Sequence, residues 1–180
     1  MKKGLLVCLA LLITATSTLV FAQAKSPHLK VESPGKSVKV VYGQPSKRGR
    51  VIFGADGLEK YGKVWRTGAD EATEITFTKD VMFGDKMVKA GTYTLFTIPD
   101  EKEWTVILNS KLGQWGAYDY IDPVKGVELK KKDVAQIKVP AKTNATPVEK
   151  LTITPTDSQV SIAWDMASIA IPIKPVGGTN

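Results

Sequence analysis

Alternation with a period of two is the feature that most restricts this chain. Val38, Val40 and Tyr42 alternate with Lys39 and Val41, and Thr73, Ile75 and Phe77 alternate with Glu74, Thr76 and Thr78. Side chains two apart share one face of an extended chain, so each run reads as a strand with one face buried. Val81-Met82-Phe83 and Met87-Val88 flank Gly84-Asp85-Lys86, a connection suited to a tight hairpin. Thr92 to Ile98 places Tyr93 and Leu95 on one face and Phe96 and Ile98 on the other, which predicts a central strand covered on both sides. Trp104 to Leu108, Val134 to Val139, Lys150 to Thr154, Val160 to Trp164 and Ile169 to Ile173 complete the series, with Asp157-Ser158 as a turn. No run of ten residues keeps helical spacing, apart from a short turn near Asp165 to Ser168. The pattern predicts an all-β chain: a single β-sandwich or jelly-roll-like domain of about eight or nine short strands.

The first residues read differently. Lys2 and Lys3 precede an apolar stretch from Leu5 to Phe21 that ends in Ala22-Gln23-Ala24, the layout of a secretory signal peptide cleaved after Ala24. Thr14, Thr16, Ser17 and Thr18 interrupt the stretch, which falls short of the roughly 20 continuous apolar residues of a membrane span. The expected organisation is a signal peptide over 1–24, an N-terminal tail over 25–36, one β domain over 37–174 and a C-terminal tail over 175–180. The protein is therefore expected to be exported, periplasmic or extracellular, with no membrane span after signal removal.

Cys8 is the only cysteine and leaves with the signal, so the mature chain holds no disulfide, thiolate metal site or cysteine nucleophile. Loss of Lys2 and Lys3 lowers the basic count from 25 to 23 against 18 acids, a formal charge of +5. Lys130-Lys131-Lys132, and Lys47-Arg48 with Arg50, are the dense basic clusters, and no nucleic-acid module accompanies them. Gly35-Lys36-Ser37 resembles the end of a phosphate-binding loop, but Lys30 stands where that motif needs glycine. Ser33-Pro34-Gly35-Lys36 has the Ser-x-x-Lys spacing, yet Pro34 and Gly35 oppose the helical turn it requires. His28 is the only histidine and is expected to be a solvated tail residue, which leaves no basis for a serine triad or a histidine metal site. No metal and no cofactor are expected.

Tyr61 to Thr73 packs an aromatic residue, a fixed cation, two carboxylates and hydroxyls between glycines, a density that suits a recognition loop. If the strand through Ile75 extends backward, Thr73 and Glu71 share its inward face. The same residues also suit an ion pair from Arg66 to Glu71 or Asp70 that only pins the loop. Trp115-Gly116-Ala117-Tyr118-Asp119-Tyr120 offers aromatic faces for sugar stacking, or plugs for one end of a sandwich.

At these segments the chain resembles the family called domain of unknown function 2911, found in exported bacterial proteins. The resemblance rests on Lys47-Arg48-Gly49-Arg50, Ile52-Phe53-Gly54, Tyr61 to Thr73, Ala90 to Pro99, Glu103 to Val106 and Trp115 to Tyr120. It implies a single exported domain and assigns no residue a role.

The leading expectation is an envelope-associated binding module for a polar ligand such as a glycan or peptidoglycan fragment. Its ligand set is Lys47, Arg48, Arg50, Trp65, Arg66, Thr67, Asp70, Glu71, Trp115, Tyr118 and Asp119. Arg66 serves as bidentate donor, Asp70, Glu71 and Asp119 as acceptors, Trp115 or Tyr118 as stacking surfaces, and Lys47, Arg48 and Arg50 as an anion subsite. One alternative is a glycosidase-like hydrolase using two of Asp70, Glu71 and Asp119, held about 5 to 9.5 Å apart. Another is a structural envelope protein without a small-molecule site. No catalytic residue is assigned, and binding is favoured over catalysis.

Overall fold

The computed structural model describes residues 26–176; the expected signal peptide and the last four residues lie outside them. In chain order the elements are β1 (His28–Glu32), β2 (Val38–Gly43), β3 (Ala69–Phe77), β4 (Val81–Phe83), β5 (Lys86–Val88), β6 (Gly91–Ile98) and β7 (Glu103–Asn109). Two short helices follow, α1 (Tyr118–Ile121) and α2 (Lys125–Lys130), and then β8 (Asp133–Pro155) and β9 (Gln159–Pro175). The chain is all-β, with antiparallel pairing in the order β1-β2-β3-β6-β7-β8-β9-β4-β5.

Two long strands make this order into a sandwich. Residues 133–140 of β8 pair with β7, and from Ala141 onward β8 pairs with β9. The second half thereby lies over the first. The Tyr42 hydroxyl of β2 accepts the Ile153 N–H at 3.3 Å, and Gln44 Nε2 donates to the Leu151 carbonyl at 3.0 Å. Val38, Val40, Ile75, Phe77, Leu95 and Val106 from one layer and Leu151, Ile153, Val160, Ile162 and Ile171 from the other are all buried in one cluster. Each such side chain contributes about 1.5 to 3 kcal/mol of burial free energy, so this interface is the main source of stability.

The expectation of short strands is corrected here. Val134 to Val139 and Lys150 to Thr154 are the two ends of a single strand, and β9 likewise joins two predicted segments. Residues 142–150 between them carry no buried side chain, so hydrophobic alternation vanishes although β9 still continues alongside. The short helical turn near Asp165 to Ser168 is absent: those residues belong to β9, with Asp165 at φ 51° marking an irregularity in its pairing. The N-terminal tail over 25–36 also needs correction, since it contains β1, paired along its length with β2. The turn after it is closed by Asp157, which accepts the Ser33 and Ser37 hydroxyls at 2.8 and 2.6 Å and the Gly35 N–H. These bonds hold the Asp157 carboxyl below its ordinary range, Ser37 contributing most. Ser33 is thus committed to structure.

Other expectations hold. β6 is buried from Tyr93 to Thr97 on both faces, because α1 and α2 cover its outer side: Phe96 meets the Tyr120 ring at 4.7 Å. The Tyr120 hydroxyl donates to Asp133 at 2.7 Å, and burial together with that bond raises its pKa. Gly84, at φ 60°, opens the two-residue loop between β4 and β5 as a Gly-x hairpin requires.

Candidate functional site

The loop between β2 and β3 and the start of β3 build a cleft of about 460 Å³ at one end of the sandwich. Arg48, Arg50, Glu59, Arg66, Asp70 and Trp164 contribute to its lining. Lys47 to Arg50 is a tight turn closed by Arg50 N–H to the Lys47 carbonyl at 3.1 Å, with Arg48 and Gly49 both at positive φ. The turn is docked on β8 and β9. Lys47 N–H donates to the Glu149 carbonyl at 2.7 Å, and Lys47 Nζ reaches Asp165 at 3.0 Å. Arg50 donates from Nε to the Lys47 carbonyl and from Nη2 to the Ser46 carbonyl. The Arg48 N–H donates to the Glu149 carboxylate at 2.9 Å, and Arg48 lines the cleft.

Arg66 is placed by its neighbours. Trp65 is 2% exposed and exchanges both backbone hydrogen bonds with Thr97, while Thr67 is fully buried with its hydroxyl 3.0 Å from that of Thr97. Alternation then turns Arg66 away from the core and onto the cleft. Its Nε is shielded from solvent and has no hydrogen-bond partner among the described residues. A shielded guanidinium nitrogen without an acceptor is costly, and a bound acceptor would relieve it. Beside it stands Glu59, half-buried, whose carboxyl is pushed up to about 7 by burial, against the opposing pull of Arg66 and Arg50. Below that pH Glu59 stands uncharged within reach of the Arg66 and Arg50 guanidiniums, in a cleft that Arg48 also lines.

Several expected site residues belong elsewhere. Trp65 is a core residue, stacked on Trp164 at 5.8 Å and edged by Phe53 at 5.7 Å. Thr67 is a buried hydrogen-bonding residue. Lys47 is occupied by Asp165 and the Arg50 carbonyl. Asp119 is exposed and pairs with Lys125 at 2.9 Å, at the foot of α1. Tyr118, 64% exposed, lines a small adjoining pocket with Arg66, Glu59 and Ile121. Trp115 is 57% exposed, and its backbone bridges to that of Glu71.

Glu71 is not inward. Ala72 and Thr73 are both buried, so the alternation of β3 breaks there, and Glu71 emerges on the surface. Asp70 at φ 64° and a shift in the pairing of β2 with β3 between Val41 and Gly43 accompany the break. No arginine lies within ion-pair distance of Asp70 or Glu71 among the described residues; both carboxylates face His28 instead, at 3.3 and 3.1 Å. The Arg66 to Glu71 pair expected as a loop pin does not form. Glu59 carries no sequence signal, because it sits in an irregular loop without periodicity; His28, expected to be a solvated tail residue, instead belongs to β1 and faces Asp70 and Glu71.

A family model described as "Protein of unknown function (DUF2911)" matches residues 25–173. The chain belongs to the DUF2911 family. The match takes in the whole DUF2911 sandwich up to Ile173, including β1, the arginine turn and the Arg66 segment. No curated protein and no solved structure matches this DUF2911 chain.

Proposed function

We propose that this protein is an exported binding module for a polar ligand bearing a carboxylate or phosphate, such as an acidic glycan or a peptidoglycan fragment. The reading is carried by the Arg66 Nε, shielded and without an acceptor, in a cleft that also presents Arg48 and Arg50. A planar guanidinium with free donors recognises a carboxylate or phosphate in bidentate fashion. Glu59, uncharged below about pH 7, adds a donor for a ligand oxygen without repelling the anion. Tyr118 beside Arg66 supplies a flat apolar face at the cleft margin for a sugar ring.

The hydrolase reading has less support. Asp119 is engaged by Lys125, and the ligand oxygens of Asp70 and Glu71 lie within 4.8 Å of each other, short of the spacing of about 5 to 9.5 Å that a glycosidase pair needs. The test is calorimetric titration of the purified protein with uronic-acid oligosaccharides, carboxylate-bearing peptidoglycan fragments and neutral glycans of matched length. Binding of the acidic ligands only, weakened by salt and lost in Arg66→Ala, is the expected result. Equal binding of neutral and acidic ligands, or full retention in Arg66→Ala, overturns the reading.

A further inference from the structure

The lone histidine and two of the carboxylates that chemistry would assign separately are brought together by sheet register. His28 pairs with Gly43 across β1 and β2, and Gly43 pairs with Ala69 across β2 and β3, one residue before Asp70. Gly43 has no side chain between them, and the backbones pass so closely that a Cβ there would stand 2.2 Å from the Ala69 carbonyl oxygen. Two strand spacings would otherwise separate His28 from residues 70 and 71 by nearly 10 Å. Instead His28 Nε2 lies 3.3 Å from Asp70 Oδ2 and 3.1 Å from Glu71 Oε2, and all three atoms fall within 4.8 Å of one another.

We propose that His28, Asp70 and Glu71 form a binding site for a divalent first-row transition ion. The spacing suits it: ligand atoms about 2.0 to 2.2 Å from one ion are separated by about 2.8 to 3.6 Å along the edges of its coordination shell. Two of the three edges already have that length. A single Nε2–H satisfies one carboxylate oxygen at a time and leaves two negative groups side by side, whereas an ion takes a lone pair from each of the three. One imidazole with two carboxylates is a donor set for Zn(II) or Mn(II), and three protein ligands leave positions for water or a ligand oxygen.

A second observation comes from the groove of about 210 Å³ that His28 and Glu71 share with Glu74 and Gln114. Gln114 is nine-tenths buried, and its Nε2 donates to the Lys111 carbonyl at 2.8 Å, which settles the orientation of the amide. Its Oε1 has no hydrogen-bond partner among the described residues. The groove therefore presents acceptors in excess of donors, the surroundings a hydrated cation needs. Asp70 also lines the arginine cleft, so the ion stands at the boundary between the two cavities. The site does not depend on the anion reading and fails or stands separately from it.

The test is equilibrium dialysis of the tag-free purified protein against Zn(II), Mn(II) and, as control, Ca(II), with bound metal counted by mass spectrometry. About one Zn(II) or Mn(II) per chain is expected, with binding weakened about tenfold or more in Glu71→Gln and in His28→Ala. Fewer than about a tenth of an ion per chain, or variants that bind as tightly as the parent, overturns the proposal. Should a variant fail to fold, Mn(II) titration of the parent protein by NMR decides the matter. Broadening centred on the amides of His28, Gly43, Asp70 and Glu71 supports the site, and broadening centred elsewhere or absent refutes it.

Discussion

Glu59 makes stability depend on pH in a direction opposite to that of most carboxylates. Its carboxyl is pushed up to about 7 from an ordinary value of 4.5, burial being the main cause. The folded chain thus holds a proton that the unfolded chain releases. Stability from this group is complete below about pH 4.5 and declines as pH rises to about 7, above which both states are ionised. The full difference corresponds to about 3 kcal/mol, and partial solvent access with screening lowers the working expectation to about 2 kcal/mol. Glu59→Gln keeps the shape and removes the titration. Urea unfolding of parent and variant at steps between pH 4.5 and 7.5 measures the difference. The variant is expected to gain about 2 kcal/mol relative to the parent across that window, and the two curves to run parallel above it. Parallel curves throughout would show that Glu59 is ionised in the folded cleft and offsets the charge of Arg66 and Arg50 there.

Trp65→Ala should cost about 3 to 5 kcal/mol in denaturant unfolding, because the ring is buried among Phe53, Trp104 and Trp164; a loss under about 1 kcal/mol contradicts its place in the core. Arg66→Ala should change stability by no more than about 1 kcal/mol, and Arg66→Ala with Glu71→Gln should be additive, since the two side chains are not paired; a double-variant cycle with strong coupling would restore the ion-pair reading. Tyr120→Phe should cost about 1 to 2 kcal/mol through loss of its bond to Asp133, read by thermal unfolding, and an unchanged midpoint refutes that role. Mass spectrometry of the exported protein should find Lys25 at its N-terminus, and any other start contradicts cleavage after Ala24.

Fold class was legible because hydrophobic alternation records which face of a strand meets the core. Val38, Val40, Ile75, Phe77 and Leu95 announced their burial directly, and β6 announced that both its faces are covered. The same signal is silent where a strand leaves the core, and so the middle of β8 looks like a gap between two strands. It misleads where the register breaks: extrapolating β3 backward from Ile75 sends Glu71 inward, whereas the irregularity at Asp70 sends it to the surface.

The candidate site divides along the same line. Arg48, Arg50, Arg66 and Asp70 stood out by residue type and do line one cleft, but residue type could not tell Trp65 and Thr67, which alternation buries, from Arg66 between them. Glu59 in its loop and His28 in its supposed tail carry no local signal at all. Their roles come from what the sheet sets beside them: Arg66 and Arg50 in one case, Asp70 and Glu71 across Gly43 in the other. The all-β class, the lack of any cysteine after Cys8 and the stock of charged groups are legible from the residues alone, because they depend on near neighbours and composition. Which charges meet was decided by the tertiary structure alone, since pairing two strands apart depends on register, and register is set by the packing of the whole sandwich.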